Sequence, residues 1–169
     1  VDVGMACRDA VPGVVNRKVA YGTKDFLEAP AMTREETVKA MEAGADMAVE
    51  LKERGYVLAG SGEMGIGNTT TSSAIASVLL KAPVETVTGK GAGLSSDGLR
   101  HKVHVIEQAI KNHKPNCDDP MDVLSKVGGL DIAGMTGLFL GGAIHRVPVV
   151  IDGFVSGAAA LLAVNICPK

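Results

Sequence analysis

Residues 56–80 read YVLAGSGEMGIGNTTTSSAIASVLL. A short apolar run, a loop with glycines at 60, 62, 65 and 67, and a threonine-rich start to an apolar stretch follow one another. Tyr56–Ala59 reads as a strand entering the loop, and Asn68 or Thr69 as the cap of a helix to about Leu80. Strand, glycine loop and helix in that order form the unit of a parallel α/β sheet. Such sheets place ligands at the carboxyl ends of their strands.

The loop admits three chemical readings. Gly60-Ser-Gly-Glu-Met-Gly65 matches the dinucleotide fingerprint GxGxxG, with Glu85 twenty residues beyond. Glu63 argues against it, because a carboxylate would repel the pyrophosphate that must approach this backbone. A P-loop needs a lysine where Gly67 is followed by Asn68 and Thr69. The third reading is a monophosphate on the backbone N–H groups and hydroxyls of Gly65, Gly67, Asn68, Thr69, Thr70 and Thr71, where a helix N-terminus favours an anion. Glu63 then stands at the rim, free to act on a neighbouring centre. A tight structural turn with a threonine-rich cap is the alternative.

The alternation continues on both sides. Val1–Gly4 reads as a strand end, and residues 5–32, with Pro12, Gly13, Gly22 and Pro30, as an irregular excursion. Thr33-Arg-Glu-Glu36 is a capping box opening a helix to about Arg54, with Val38, Met41, Ala45, Ala48 and Leu51 on one face and Gly55 as its stop. Glu85–Thr88 reads as a strand leading into Gly89-Lys-Gly-Ala-Gly93. Ser95 or Ser96 caps a helix with the stripe Leu99, Val103, Ile106 and Ile110. A polar loop from Asn112 to Asp119 precedes a short helix around Met121–Lys126.

Gly128-Gly-Leu-Asp131 opens a helix spaced by Gly134, Gly137 and Gly141, a pattern that suggests close helix–sheet packing. A buried strand, Val147–Ile151, ends at Asp152-Gly153, and Ser156–Val164 is the last helix. The expected fold is α/β, a mostly parallel Rossmann-like sheet with helices on both faces, in one domain over residues 1–169.

Composition narrows the function classes. The 169 residues carry a net charge of −2, with 3% aromatic residues, and no basic run appears, so nucleic-acid binding finds no support. Cys7, Cys117 and Cys167 lack metal-ligand spacing and suit free thiols in a reducing cytosol. His101, His104, His113 and His145 share no face, so no metal site is expected. The apolar stretch Phe154–Val164 is too short to span a bilayer, and no signal-peptide pattern is seen.

Four blocks carry a family resemblance: residues 16–36 (NRKVAYGTKDFLEAPAMTREE), 62–80 (GEMGIGNTTTSSAIASVLL), 87–110 (VTGKGAGLSSDGLRHKVHVIEQAI) and 128–163 (GGLDIAGMTGLFLGGAIHRVPVVIDGFVSGAAALLA). Together they resemble the nicotinate-nucleotide–dimethylbenzimidazole phosphoribosyltransferases. The resemblance implies phosphoribosyl transfer from nicotinate mononucleotide to a benzimidazole-type base, in a cytoplasmic homodimer without a cofactor.

It implies a functional carboxylate at Glu63, close to the ribose, the alternative being a partner for local N–H groups. It also implies an active-site role for Lys102, which flanks the apolar stripe of its helix and is otherwise a solvated lysine. The phosphate is expected on Gly65, Gly67, Asn68, Thr69 and Thr70. Asp152 at its strand end, and Ser156 opening the last helix, are further candidates, each with a capping or turn role as its alternative. Asp131 reads as a cap or a supporting acid, and Lys90 as a minor candidate cation. Family members are roughly twice as long and end in a Leu-Gly-Glu-Gly-type motif whose glutamate is the candidate general base. No Leu-Gly-Glu run occurs here, so the expectation is a truncated core with little activity alone.

Overall fold

A computed structural model describes residues 1–9 and 11–168. Its elements in chain order are α1 (Arg34–Glu53), β1 (Ala59–Gly60), α2 (Asn68–Leu80), α3 (Val84–Val87), α4 (Ser96–His113), α5 (Pro120–Val127), α6 (Leu130–His145), β2 (Val149–Val150) and α7 (Phe154–Ile166). The sheet is parallel, as the strand–loop–helix alternation predicts, and consists of β1 and β2 paired with Ala59 opposite Val149 and Gly60 opposite Val150. Both strands are shorter than the apolar runs containing them. Val57, Leu58, Val150 and Ile151 are exposed, so the expected burial of the second strand is not met among the described residues.

The core lies among the helices. Ile75 of α2, Ile106 of α4, Val123, Leu124 and Val127 of α5, Ile132 of α6 and Leu162 of α7 are fully buried. Before α1 the chain forms the expected irregular excursion, pinned by a bridge between Asp2 and Asn16 rather than by a strand. Asp2 lies 2.6 Å from Lys18. Burial tends to raise its carboxyl pKa, but Lys18 and the N–H groups of Gly4 and Met5 hold it below the ordinary value.

The capping box at α1 forms as its sequence requires: Thr33 Oγ1 accepts from Glu36 N (3.1 Å), and Glu36 Oε2 accepts from Thr33 N (2.8 Å). The face of α1 turned inward follows the expected one only in part, with Ala48 buried and Met41 packed against the core. Thr37, Ala40, Ala43, Gly44 and Ala48 are buried, whereas Val38 is exposed. The reason lies in α6, whose Gly134, Gly137 and Gly141 face this helix and not the sheet. A Cβ on Gly137 would lie 1.8 Å from Met41 O, and one on Gly44 would lie 1.7 Å from Gly134 O. Backbone meets backbone, so only small side chains face the seam.

The expected strand Glu85–Thr88 is instead the short helix α3. Pro83 starts it, and the hydroxyls of Thr86 and Thr88 donate back to Pro83 O (2.7 Å) and Val84 O (2.6 Å). These local bonds override the β preference of a Val-Glu-Thr-Val run.

Candidate functional site

Parallel pairing brings two strand ends to one edge. The glycine loop leaves β1 there, and residues 151–153 leave β2 beside it. Ser61 fastens the junction, its N–H and hydroxyl both donating to Val150 O (3.1 and 3.0 Å). On the β2 side, Ser156 is buried, and its hydroxyl accepts from the N–H groups of Asp152 and Gly153, both at 2.9 Å. That hydroxyl therefore shapes the turn, and the Asp152 side chain is left exposed at the strand end.

Gly67, not Asn68 or Thr69, is the N-cap of α2. Its left-handed conformation (φ 71°) and that of Gly65 (φ 73°) suit glycine. A glycine cap has no side chain to satisfy the first N–H groups of the helix, and α6 and α7 likewise start from Gly129 and Gly153. These starts are linked. Asn68 Nδ2 donates to Asp131 Oδ2 in the first turn of α6 at 2.8 Å, while α7 follows β2 at the adjoining strand end. The edge thus collects backbone donors suited to an anion.

Glu63 reaches back over the loop. Its carboxylate accepts from Gly65 N and, at 2.6 Å, from Asn68 Nδ2. Thr71 donates its hydroxyl to Asn68 O (3.0 Å), and Thr70 N approaches Gly67 O at 3.3 Å.

Lys102 enters from α4. Instead of flanking the apolar stripe it sits in its centre, buried with Ile106 and Ala109, its side chain covered by the loop before α4. Nζ donates to Thr69 Oγ1 (2.9 Å) and Gly89 O (3.1 Å), and no carboxylate pairs with it among the described residues. Burial pushes its pKa below the ordinary lysine value. An ammonium with three donors and two neutral acceptors is short of a negative partner. It lies on the first turn of α2, where an anion would also meet the open helix N–H groups.

The segment that covers Lys102 was read from the sequence only for Lys90, and its contact with Lys102 was missed. Ser73 donates to Thr69 O (2.9 Å) and Val87 O (3.0 Å), drawing the end of α3 onto α2 and bringing Gly89 to the ammonium. Gly91 then passes so close that a Cβ there would lie 3.0 Å from Thr69 Oγ1. Its positive φ of 58° favours glycine, and the glycine at 91 is the one trace of this approach in the sequence. Lys90, the residue singled out in that run, is exposed.

A parallel α/β unit with glycine-capped helix ends beside a buried lysine offers the donors and the cation that an anion needs. The chain belongs to the phosphoribosyltransferase family, whose profile matches residues 1–169. It is 54% identical over 169 residues to the nicotinate-nucleotide–dimethylbenzimidazole phosphoribosyltransferase of Ruminiclostridium cellulolyticum and 51% identical over 168 residues to that of Clostridium acetobutylicum. These matches cover 100% and 99% of the chain and 48% of each relative, so the chain spans about half the length of the curated relatives it matches. Its structure is similar to the crystal structure of CobT from Thermus thermophilus, with a TM-score of 0.93 and 38% identity, over 99% of this chain and 50% of that one.

Proposed function

We propose that the protein carrying this chain moves a phosphoribosyl group from nicotinate mononucleotide to a benzimidazole-type base. The products are α-ribazole 5′-phosphate and nicotinate, for the lower ligand of cobalamin. The observation that carries this reading is Lys102, buried against the open N-terminus of α2 with no carboxylate partner among the described residues. A phosphate bound there has its charge balanced by Lys102 and takes hydrogen bonds from Gly67, Thr69, Thr70 and the backbone N–H of Asn68, with Gly65, whose N–H is held by Glu63, at its edge.

In the reaction a ring nitrogen of the base bonds to the anomeric carbon while the glycosidic C–N bond breaks. Its electron pair returns to the pyridinium nitrogen, so nicotinate leaves without needing a proton. The carbon passes through an oxocarbenium-like state, and an anionic group beside it stabilises the developing charge. Glu63, at the rim of the phosphate cradle, takes that part. Asp152, exposed on the adjoining strand end, is a further candidate for substrate binding, and the ring proton of the base passes to the general base that the family carries in its Leu-Gly-Glu-Gly-type motif.

Residues 1–169 are read as one α/β core domain carrying the phosphate and ribose side of the site. The homodimer, the cytoplasmic location and the absence of a nucleic-acid partner rest on the family reading and composition. No helix among the described residues is long and apolar enough to cross a membrane.

A crystal soaked with nicotinate mononucleotide, together with a transfer assay using benzimidazole, tests the proposal. The phosphate is expected on residues 65–70 with Lys102 in contact. A phosphate bound elsewhere, or a full-length protein without transferase activity, would sink it.

A further inference from the structure

We propose that Asn68 is a positioning residue: anchored by Asp131, its side-chain amide holds the Glu63 carboxylate at the mouth of the anion site. Asn68 is 6% exposed, and its Nδ2 lies 2.6 Å from Glu63 Oε2 and 2.8 Å from Asp131 Oδ2. Two carboxylates around one end of the amide settle which end it is. An amide oxygen there would face two anions, whereas the NH2 group has one N–H for each. Oδ1 points away, buried and without a partner among the described residues.

An unmade buried acceptor costs about 1–3 kcal/mol. Hydrogen bonds to ionised acceptors are roughly twice as strong as neutral ones, and two of them offset that cost. The orientation of Asn68 is therefore set by the acids and against the solvation of its own oxygen.

The anchor is firm at one end and loose at the other. Asp131 belongs to the first turn of α6, and its Oδ1 accepts from Ile132 N at 2.9 Å. Gly129 lies so near that a Cβ on it would come within 2.8 Å of the same oxygen. Glu63, by contrast, is exposed in a glycine-rich loop, where a long side chain has many rotamers. A group stabilising a transition state must hold its place within about 0.5 Å. The chain of contacts from α6 through Asp131 and Asn68 transfers the rigidity of a helix start to that carboxylate.

This rests on the reading in which Glu63 faces the ribose. The test uses Asn68→Ala, Asp131→Ala and their combination in the full-length protein, with kcat, KM for nicotinate mononucleotide, melting temperature and crystal structures as readouts. Each single change is expected to lower kcat by about 10- to 100-fold, the range for misplaced catalytic geometry. The double variant falls no further, because both act through one chain of contacts. For Asn68→Ala, KM and melting temperature stay nearly unchanged, because the backbone N–H facing the phosphate is kept and the orphaned oxygen is deleted with the amide; Asp131→Ala also loses its bond to Ile132 N and melts lower. Asp131→Asn loses turnover as well, since Asp131 accepts with both oxygens, from Asn68 Nδ2 and from Ile132 N, and an amide offers only one acceptor. In the Asn68→Ala crystal, Glu63 occupies more than one rotamer.

Additive losses, a KM that rises in step with the fall in kcat, or an Asn68→Ala protein with normal turnover and an ordered Glu63 would overturn the proposal. If the unmodified protein transfers no phosphoribose, it is the functional reading that fails. The order of Glu63 with and without Asn68 then still decides the positioning claim.

Discussion

The ammonium of Lys102 lies 2.9 Å from the hydroxyl of Thr69, joining the middle of α4 to the first turn of α2. Neither residue is charged against the other, and the nearby Gly89 carbonyl is also neutral. A buried cation in neutral company is costly for the fold unless a ligand completes it. Replacing Lys102 with Met should therefore leave the melting temperature unchanged or raised. Affinity for nicotinate mononucleotide or inorganic phosphate should fall at least about tenfold, in line with about 1.5–3 kcal/mol for a hydrogen bond to a charged group. Calorimetric titration beside thermal melts checks both, and a destabilised variant with intact affinity would make Lys102 structural.

The lowered pKa of Lys102 gives a pH dependence with a definite sign. An anion favours the ammonium and restores its pKa, so binding takes up a proton in the window above the depressed value. Affinity for phosphate should fall as pH rises through that window. Folding responds the other way. The unfolded chain keeps its lysine proton up to about pH 10.4 while the unliganded fold gives it up earlier, so this group's contribution to stability improves as pH rises between the two values. Titration in two buffers of different ionisation enthalpy reads the proton directly, and proton release on binding would contradict the assignment.

Glu63→Gln preserves the local geometry, because the amide oxygen can still accept from Gly65 and Asn68. It removes only the charge. Turnover in the full-length protein should drop by about 10²- to 10³-fold, as when one stabilising group is removed from a transition state. Stability should stay within about 0.5 kcal/mol, as for a surface substitution. Steady-state kinetics and a urea melt separate the two effects, and unchanged turnover would leave Glu63 as a loop fastener.

Two glycines of the helices should respond in opposite directions. Gly137→Ala drives a methyl group to 1.8 Å from the Met41 carbonyl, so α1 and α6 must separate at a cost of about 1–3 kcal/mol or more. A Cβ on Gly157 of α7 meets nothing within 4 Å, so Gly157→Ala should stabilise by about 0.5–1 kcal/mol through helix propensity. Denaturant midpoints compare them, and similar values for the two variants would mean the seam can relax.

The local features were legible because they depend on neighbours in sequence. The capping box at Thr33, the strand–loop–helix order around Gly60–Leu80 and the cap at Ser95 all follow from residues a few positions apart. So did the resemblance, carried by four blocks of sequence. The short helix at Val84–Val87 was misread because its threonines back-bond into a turn, an outcome that apolar periodicity does not encode.

Other features depend on contacts between distant segments. The inward face of α1 is set by glycines of α6, nearly a hundred residues on, which admit only small side chains. Lys102 was placed at the edge of its helix stripe, yet it is buried because Ser73 draws Val87, and with it Gly89, across the helix. The Asn68–Asp131 contact spans 63 positions and links two helix starts that the sequence shows only as separate glycine runs. For the Gly60–Thr71 loop, then, the amino-acid sequence by itself determined the chemistry on offer: backbone donors, hydroxyls and one carboxylate. The tertiary structure decided that a buried lysine and a second helix start would face them, because burial and charge pairing are properties of packed surfaces and not of neighbouring residues.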